Sequence, residues 1–532
     1  MGKSCNRKNV RNQMNTIDCE ILIIGAGIAG LTCAIKLADR GKDVVVINRS
    51  EDPEESNTKY AQGGIVWWGE DDSTELIKTD IEEAGDEVGR ESAIKIIAED
   101  GPVLVKSFLI DRLGINFDKD PFGKLHKTLE GGHSKNRIIH VADQTGLAIQ
   151  KALLKEAKRH PNIKILSSTT AIDLISTTHH SKNRDAIYQA TKILGAYVLE
   201  RNSNRIQKIL SSYTVIASGG IGAVYEYTTN PEGARGDGIA MAKRAGAHVI
   251  NMEYIQFHPT AFKKDNCKSF LISESVRGEG AILLNDKLER FVESELLPRD
   301  ELTRLIYKEM KKSFSKNVWL SCKPIIKRGI KLEERFPKIF SDCLECGIDI
   351  RKDLIPVAPA AHYLCGGIRV DEWGKTNLTR LYAIGEASCT GLHGANRLAS
   401  TSLLEGLVWG VRSAENIIGN FSKEDIESFQ ISDWDERFVL QEPDKNLIKD
   451  YLSRIKVIMW ERVGIVRSEK ELLKAIRELT ELSIDIIEMY RTSKLSDELI
   501  GLRNTIEIAI EIASCARRNR VSKGSHYRED YL

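Results

Sequence analysis

The run CEILIIGAGIAGLTCAIKLADRGKDVVVINRS, starting at Cys19, constrains the fold more than any other stretch of the chain. Cys19–Ile24 is an apolar segment suited to a buried strand, and Asp43–Ile47 is a second one. Between them, Gly25, Gly27 and Gly30 form G-x-G-x-x-G at the start of a helix that reaches about Asp39. A strand, a glycine turn, a helix and a second strand make a βαβ unit with a dinucleotide-binding first turn. Gly25 permits the tight turn, Gly27 lets the backbone approach a pyrophosphate, and Gly30 lets helix and strand pack closely. The helix N-terminus directs unpaired N–H groups at the phosphates. Gly25, Ala26, Gly27, Ile28, Ala29 and Gly30 are therefore candidate cofactor-binding residues.

One position departs from the common pattern. An acidic residue usually ends the second strand and holds the adenosine ribose. Here Asn48 and Arg49 stand there, so Arg49 or a backbone group has to take that role.

With 532 residues, the chain is too long for one core, and two or three domains are expected. A formal net charge of +1 gives no global attraction to nucleic acid or to anionic membranes. No apolar run reaches transmembrane length. The polar N-terminus lacks the apolar core of a signal peptide, and Asn6 breaks the myristoylation pattern. Ten scattered cysteines make no disulfide framework and fit a reducing cytoplasm. Cys343 and Cys346 have CxxC spacing, but no second pair or His pair lies nearby, so no metal site is expected.

Glycine-ended strands recur at SYTVIASGGIG and TRLYAIGEAS. Both read as returns to the nucleotide sheet, and the Arg-, Glu- and His-rich stretch between them reads as an inserted domain. The fold class expected is α/β: a Rossmann-like dinucleotide-binding domain interrupted by an inserted domain, followed by a C-terminal helical bundle. The expected limits are a disordered N-terminus over 1–17, the nucleotide-binding domain over 18–250 and 360–430, the inserted domain over 251–359, and the helical bundle over 431–532. Leu472, Ile476, Leu479, Leu482 and Ile486 recur at helical spacing in that last part, and Ser468 with Glu471 suggests a capping box.

NAD and FAD both fit the first turn. LYAIGEAS, followed by GLHGANRLASTSLLEGLVWG, favours a flavin. Glu386 ends a strand and can accept hydrogen bonds from cofactor hydroxyls. Ser402 and Glu405 suggest a capping box for a helix whose positive N-terminus suits an anionic reduced flavin ring. A nicotinamide-dependent dehydrogenase would not need this second motif.

The substrate groups fall in Gly- and Pro-marked segments. QFHPTAF supplies His258 and Thr260, LLPRDELTR supplies Arg299, PAAHYLCGG supplies His362, and HGANRLAS supplies Arg397. Two arginines and two histidines suit a substrate with two carboxylates. TLEGGHS adds Glu130, a carboxylate in an otherwise basic set. It would repel such a substrate unless it meets a positive group, for which an α-amino group is the obvious candidate.

IIGAGIAGLTCAIKLA, TKYAQGGI, EGGHSKNRIIH, QFHPTAF, VAPAAHYLCGGIRVD, LYAIGEAS and MWERVGIVRS together resemble the succinate dehydrogenase and fumarate reductase flavoprotein superfamily. More narrowly, they resemble its L-aspartate oxidase branch, from about Asp18 to the terminal SKGSHYREDY. That resemblance implies FAD-dependent oxidation of L-aspartate to iminoaspartate, the first step of de novo NAD biosynthesis. Hydride would pass from Cα to flavin N5. Oxygen would then give hydrogen peroxide, or fumarate would give succinate. Quinolinate synthase would be the metabolic partner that consumes the unstable iminoaspartate.

The resemblance also implies that the nucleotide-binding domain is a Rossmann-like FAD-binding domain, that the insert is an α+β capping domain and that the chain ends in a three-helix bundle, and it implies residue roles. Ala26 to Ala29, Arg49, Asn57, Thr58, Lys59, Tyr60, Ala61, Gln62, Gly63, Gly64, Asp237, Glu386, Ser402 and Leu403 would line the FAD. His258, His362 and Arg397 would hold the substrate carboxylates, with Thr260 beside them, and Glu130 would orient the amino group. Arg299 would be the family's proton donor or acceptor. Because arginine stays protonated, an electrostatic clamp near the reacting carbon is its first role on physical grounds. Membrane-bound relatives carry a flavin-linking histidine where this chain has Asn57, so a noncovalent FAD is expected. Two alternatives remain at this stage: a soluble fumarate reductase or succinate dehydrogenase-type flavoprotein, and a flavin-binding sensor without turnover. Glu130 weighs against the first, and the complete set Arg299, His362 and Arg397 weighs against the second.

Overall fold

The computed structural model describes residues 14–531. Its central sheet is built around the predicted βαβ unit. Strand Thr16–Ile24 pairs in parallel with Val44–Ile47, which pairs in parallel with Ile163–Leu166. On its other side Thr16–Ile24 pairs in parallel with the long strand Arg205–Ile216. That strand uses its far edge twice. Its first half pairs antiparallel with Ile193–Glu200, which in turn pairs with Thr169–Ser176. Its last residues, Thr214–Ile216, pair in parallel with Leu381–Ala383. The two glycine-ended segments thus lie side by side in one seven-stranded sheet, although about 165 residues separate them in the chain. The parallel strands are apolar on both faces because both faces are covered. Helices Ile28–Ala38 and Ser402–Gly419 pack on one face, and the C-terminal helices pack against the other.

The inserted segment forms its own four-stranded antiparallel sheet, in the order Ile255–Phe262, Ile355–Leu364, Val318–Ser321, Ile282–Leu284. Helix Arg299–Ser313 lies against it, around a separate core that includes Phe262, Leu302, Ile306 and Phe336. Three helices end the chain: Lys445–Arg462, Glu469–Thr492 and Asp497–Arg518.

Some expectations need correction. The expected disordered lead-in falls largely on residues 1–13, outside the described residues. Thr16 and Ile17, however, already belong to the first strand, held by pairing with Lys208 and Ile209. The expected 359/360 limit falls inside strand Ile355–Leu364, because that strand serves the cap sheet along its whole length. Neither capping box forms. Ser468 is an N-cap without a side-chain bond, and Glu471 instead pairs with Arg462 and Lys474. At Ser402 the N-cap is Thr401, and Glu405 is consumed elsewhere.

Candidate active site

A cleft of about 1850 Å³, its open mouth included, runs between the sheet, the cap and the helix Ser402–Gly419. The glycine turn lines its middle. Gly25 has φ +118°, and any side chain there would run into the Ala217 carbonyl, so this turn admits only glycine. Arg49, Thr169–Ala171, Gly233 and Asp237 line one end. Gln62, Gly63, Gly64, Glu130, His258, Arg299, His362 and Arg397 line the other. A dinucleotide with its phosphates against the Gly25–Ala29 turn would have its adenosine at the Arg49 end and its reactive ring at the Glu130 end.

Most of the predicted residues meet in this cleft. Three do not reach its wall. Lys59 turns away to Asp52 and Glu55, at 3.4 and 3.6 Å. Gly30 lies behind the turn, where a side chain would strike the Gly25 carbonyl. Thr260 is buried behind His258; its hydroxyl donates to the Ile272 carbonyl at 3.0 Å. It acts on the site through His258, because its backbone N–H donates to His258 Nδ1 at 3.2 Å.

That bond fixes the imidazole. With Nδ1 accepting, the proton of the neutral ring sits on Nε2, and Nε2 has no protein partner although it is buried. Burial, then Arg299 and His362, holds the His258 pKa well below the usual histidine value. Burial, then Arg299 and Arg397, does the same to His362, whose Nδ1 lies 2.7 Å from Thr229 Oγ1. Both rings are neutral, and their centroids are 5.1 Å apart. Arg397 sits over the Tyr363 ring at 4.4 Å and has a free Nε. Burial, then Arg299, lowers its pKa to about 10, so it stays charged at neutral pH.

Arg299 begins the cap helix and is clamped on two sides. Its Nε donates to Glu274 Oε2 at 2.8 Å, and its Nη1 donates to Gln256 Oε1 at 3.0 Å. Burial pushes the Glu274 pKa up, but Arg299 and Arg277 pull it down further, so it remains ionised. Glu130 behaves in the opposite way. Burial, then the Glu274 charge, raises its pKa, and its only side-chain partners are the hydroxyls of Ser275 at 3.1 Å and Ser400 at 2.6 Å. Among the described residues no cation pairs with it directly.

The loop SNTKYAQGGI touches this machinery through its side chains as well as its backbone. Asn57 Nδ2 donates to Glu386 Oε2 at 3.0 Å, while Glu386 Oε1 accepts from the Leu364 N–H at 3.1 Å. Glu386 is thus occupied in part by the protein, and burial raises its pKa to about 7. A side chain at Gly63 would come within 2.8 Å of Glu130 Oε1, and one at Gly64 would overlap the Ile139 carbonyl. The glycine pair is needed by its protein neighbours.

Gln256, Ser273, Glu274, Ser275, Arg277, Tyr363 and Ser400 are site residues that the sequence patterns did not single out. Gln256 had a signal, since it lies two residues before His258 in a strand-like segment. Glu274 and Arg277 had one in their i, i+3 spacing. Glu405 was misread as a cap. Its carboxylate accepts from Tyr363 at 2.8 Å and Thr390 at 2.6 Å, and lies 3.0 Å from His393 Nε2, which fixes the aromatic ring beneath Arg397.

The cleft suits a large polar cofactor. Its buried walls hold Asn57 Oδ1, Gln62 Oε1 and Ser218 Oγ without protein partners, beside the glycine turn. Comparison with known proteins agrees. The FAD binding domain family matches residues 20–403, and the fumarate reductase flavoprotein C-terminal family matches 453–532. The L-aspartate oxidase of Vibrio cholerae is 40% identical over 96% of both chains. The chloroplastic L-aspartate oxidase of Oryza sativa subsp. japonica is 37% identical, over 96% of this chain and 81% of the plant one. An E. coli quinol fumarate reductase FrdA structure superposes with a TM-score of 0.85, at 26% identity, over 97% of this chain and 92% of that one. The chain belongs to the L-aspartate oxidase family of the succinate dehydrogenase and fumarate reductase flavoprotein superfamily.

Proposed function

We propose that this protein oxidises L-aspartate to iminoaspartate with FAD, the first step of de novo NAD biosynthesis. Oxygen is reduced to hydrogen peroxide, or fumarate to succinate. The observation that carries this reading is Glu130: a buried carboxylate that pairs with no cation among the described residues, in a pocket that also brings together His258, His362, Arg299 and Arg397. A dicarboxylate alone gives it nothing to bind. An amino-dicarboxylate does.

FAD held along the Gly25–Ala29 turn, Arg49, Asn57 and Glu386 would supply the two-electron acceptor for the hydride of the substrate Cα and the route of that electron pair to oxygen or fumarate. The protein's part is to hold and deprotonate. Arg397, whose Nε has no partner among the described residues, binds carboxylates together with the Nε2–H of His258 and with His362. Glu130 takes the ammonium group. Its raised proton affinity suits it to receive an ammonium proton, which frees the nitrogen lone pair that Cα needs as the hydride leaves. Arg299, held by Glu274 and Gln256, keeps a fixed positive charge beside the reacting carbon.

Asn57 supports a noncovalent flavin, since its amide has no nucleophile and is bonded to Glu386. The handover of iminoaspartate to quinolinate synthase and a cytoplasmic location extend the same reading. Nine free cysteines among the described residues favour a reducing compartment, and no helix among them is long and apolar enough to cross a membrane. Offering aspartate or succinate to the purified protein, with peroxide or a redox dye as readout, tests the activity. Ready oxidation of succinate without oxidation of aspartate would reverse the assignment.

A further inference from the structure

The adenosine end of the cleft lacks the carboxylate that dinucleotide-binding folds place after the second strand. Asn48 brings no charge in its place: its Nδ2 donates to the Ser50 and Asp52 carbonyls at 3.0 and 3.2 Å, which leaves only a neutral Oδ1 as acceptor. Arg49 remains. Its carbonyl is gripped by Arg201 Nη1 at 2.9 Å. Its guanidinium lies along Gly233, where even a methyl group would come within 2.6 Å of Nη2.

The carboxylate that does reach this place comes from the far end of the chain. Asp497, the first residue of the last helix, accepts from Arg49 Nη1 at 3.0 Å through Oδ2. Its Oδ1 accepts from Thr170 Oγ1 at 2.8 Å and from Arg235 Nη2 at 3.1 Å. Arg201 lies 3.8 Å away. Arg235 continues to Asp237, which also accepts from Asn504 of the same last helix at 2.8 Å. Asp497 is only 6% exposed. Thr170, Arg49 and Asp237 all line the cleft. A buried carboxylate from the C-terminal helices thus joins three arginines of the nucleotide domain, and one of the three, Arg49, lines the cleft.

We propose that Asp497 is a cofactor-positioning residue: it locks Arg49 in place at the adenosine end of the FAD and makes the C-terminal helical domain part of the FAD site. An arginine on this turn, free of such a lock, is the group that receives an extra phosphate in phosphorylated dinucleotides. With its charge taken up by Asp497, Arg49 needs no such anion and presents its remaining N–H groups to neutral adenosine oxygens. The proposal rests on FAD filling this cleft.

The test is a double-mutant cycle on FAD affinity, read by flavin fluorescence on serial dilution of the purified holoprotein, with melting temperature recorded in parallel. Asp497→Asn is expected to weaken FAD binding by about tenfold or more, the cost of leaving a charged hydrogen-bond partner unpaired. Arg49→Met is expected to do the same, and the double variant to lose no more than either single one. A carboxylate that merely docks the last helix would lower affinity equally with and without Arg49; additive losses therefore overturn the proposal. So does an unchanged FAD affinity in Arg49→Met, a variant that leaves Asp497 bonded to Thr170 and Arg235 even if Asp497→Asn folds poorly. A wild-type protein that carries no flavin would instead refute the FAD reading itself.

Discussion

Glu130 and Glu274 lie in the same buried pocket, yet their proton affinities move in opposite directions. Arg299 and Arg277 keep Glu274 ionised, and that charge, together with burial, raises the pKa of Glu130. One carboxylate anchors the clamp on the reacting carbon. The other is left to meet a cation brought by the substrate.

The first prediction concerns Glu130→Gln. Aspartate oxidation should fall by about 100-fold or more, while fumarate reduction with an artificial donor falls far less. In the wild type, kcat/KM for aspartate should rise with pH through the Glu130 titration, above the ordinary carboxylate range, because the neutral acid cannot hold ammonium. That limb should vanish in Glu130→Gln. Equal losses in both reactions would remove the amine-holding role.

Glu274→Gln should damage both reactions together, because Arg299 serves both. It also leaves Arg299 and Arg277 without their buried counter-charge. A stability loss of about 3–5 kcal/mol is expected, visible in thermal or urea unfolding. An intact melting temperature with normal turnover would contradict the clamp.

Asn57 leads to a direct chemical prediction. Acid precipitation of the protein should leave the flavin in the supernatant. Yellow colour retained in the washed pellet would mean a covalent bond from another residue.

Buried neutral histidines predict acid sensitivity. His133 and His526 have pKa values lowered to about 4 and about 3, by burial first and by Arg137 and Arg467 respectively. The unfolded chain takes up these protons near pH 6.5, and the folded one does not. Their contribution to stability is therefore complete above pH 6.5 and lost as pH falls toward 4. Each should cost about 2 kcal/mol by pH 5. Melting temperatures at pH 7 and pH 5 measure the sum, and His526→Gln should make the slope shallower.

The parts of this architecture legible in the sequence were those written in short-range patterns. The Gly25–Gly30 turn and its two strands are local, as are the helical repeats after Leu472. The site was legible as a set of residue types, His258, Arg299, His362, Arg397 and Glu130, but not as contacts. Asn57 and Glu386 are 329 positions apart, and nothing local to either names the other. Glu405 shows how a local rule fails. Its spacing from Ser402 fits a cap, but Tyr363, Thr390 and His393 offer it a better-satisfied buried position. Arg49 was legible as an oddity, whereas its partner Asp497 is 448 residues away.

The central claim is that this pocket oxidises an amino-dicarboxylate. Anaerobic mixing of the oxidised holoprotein with L-aspartate, followed by flavin absorbance, tests it most directly, with D-aspartate and succinate as controls. L-aspartate should bleach the flavin, and the two controls should leave it oxidised or reduce it far more slowly. Bleaching by succinate with none by L-aspartate would contradict the claim.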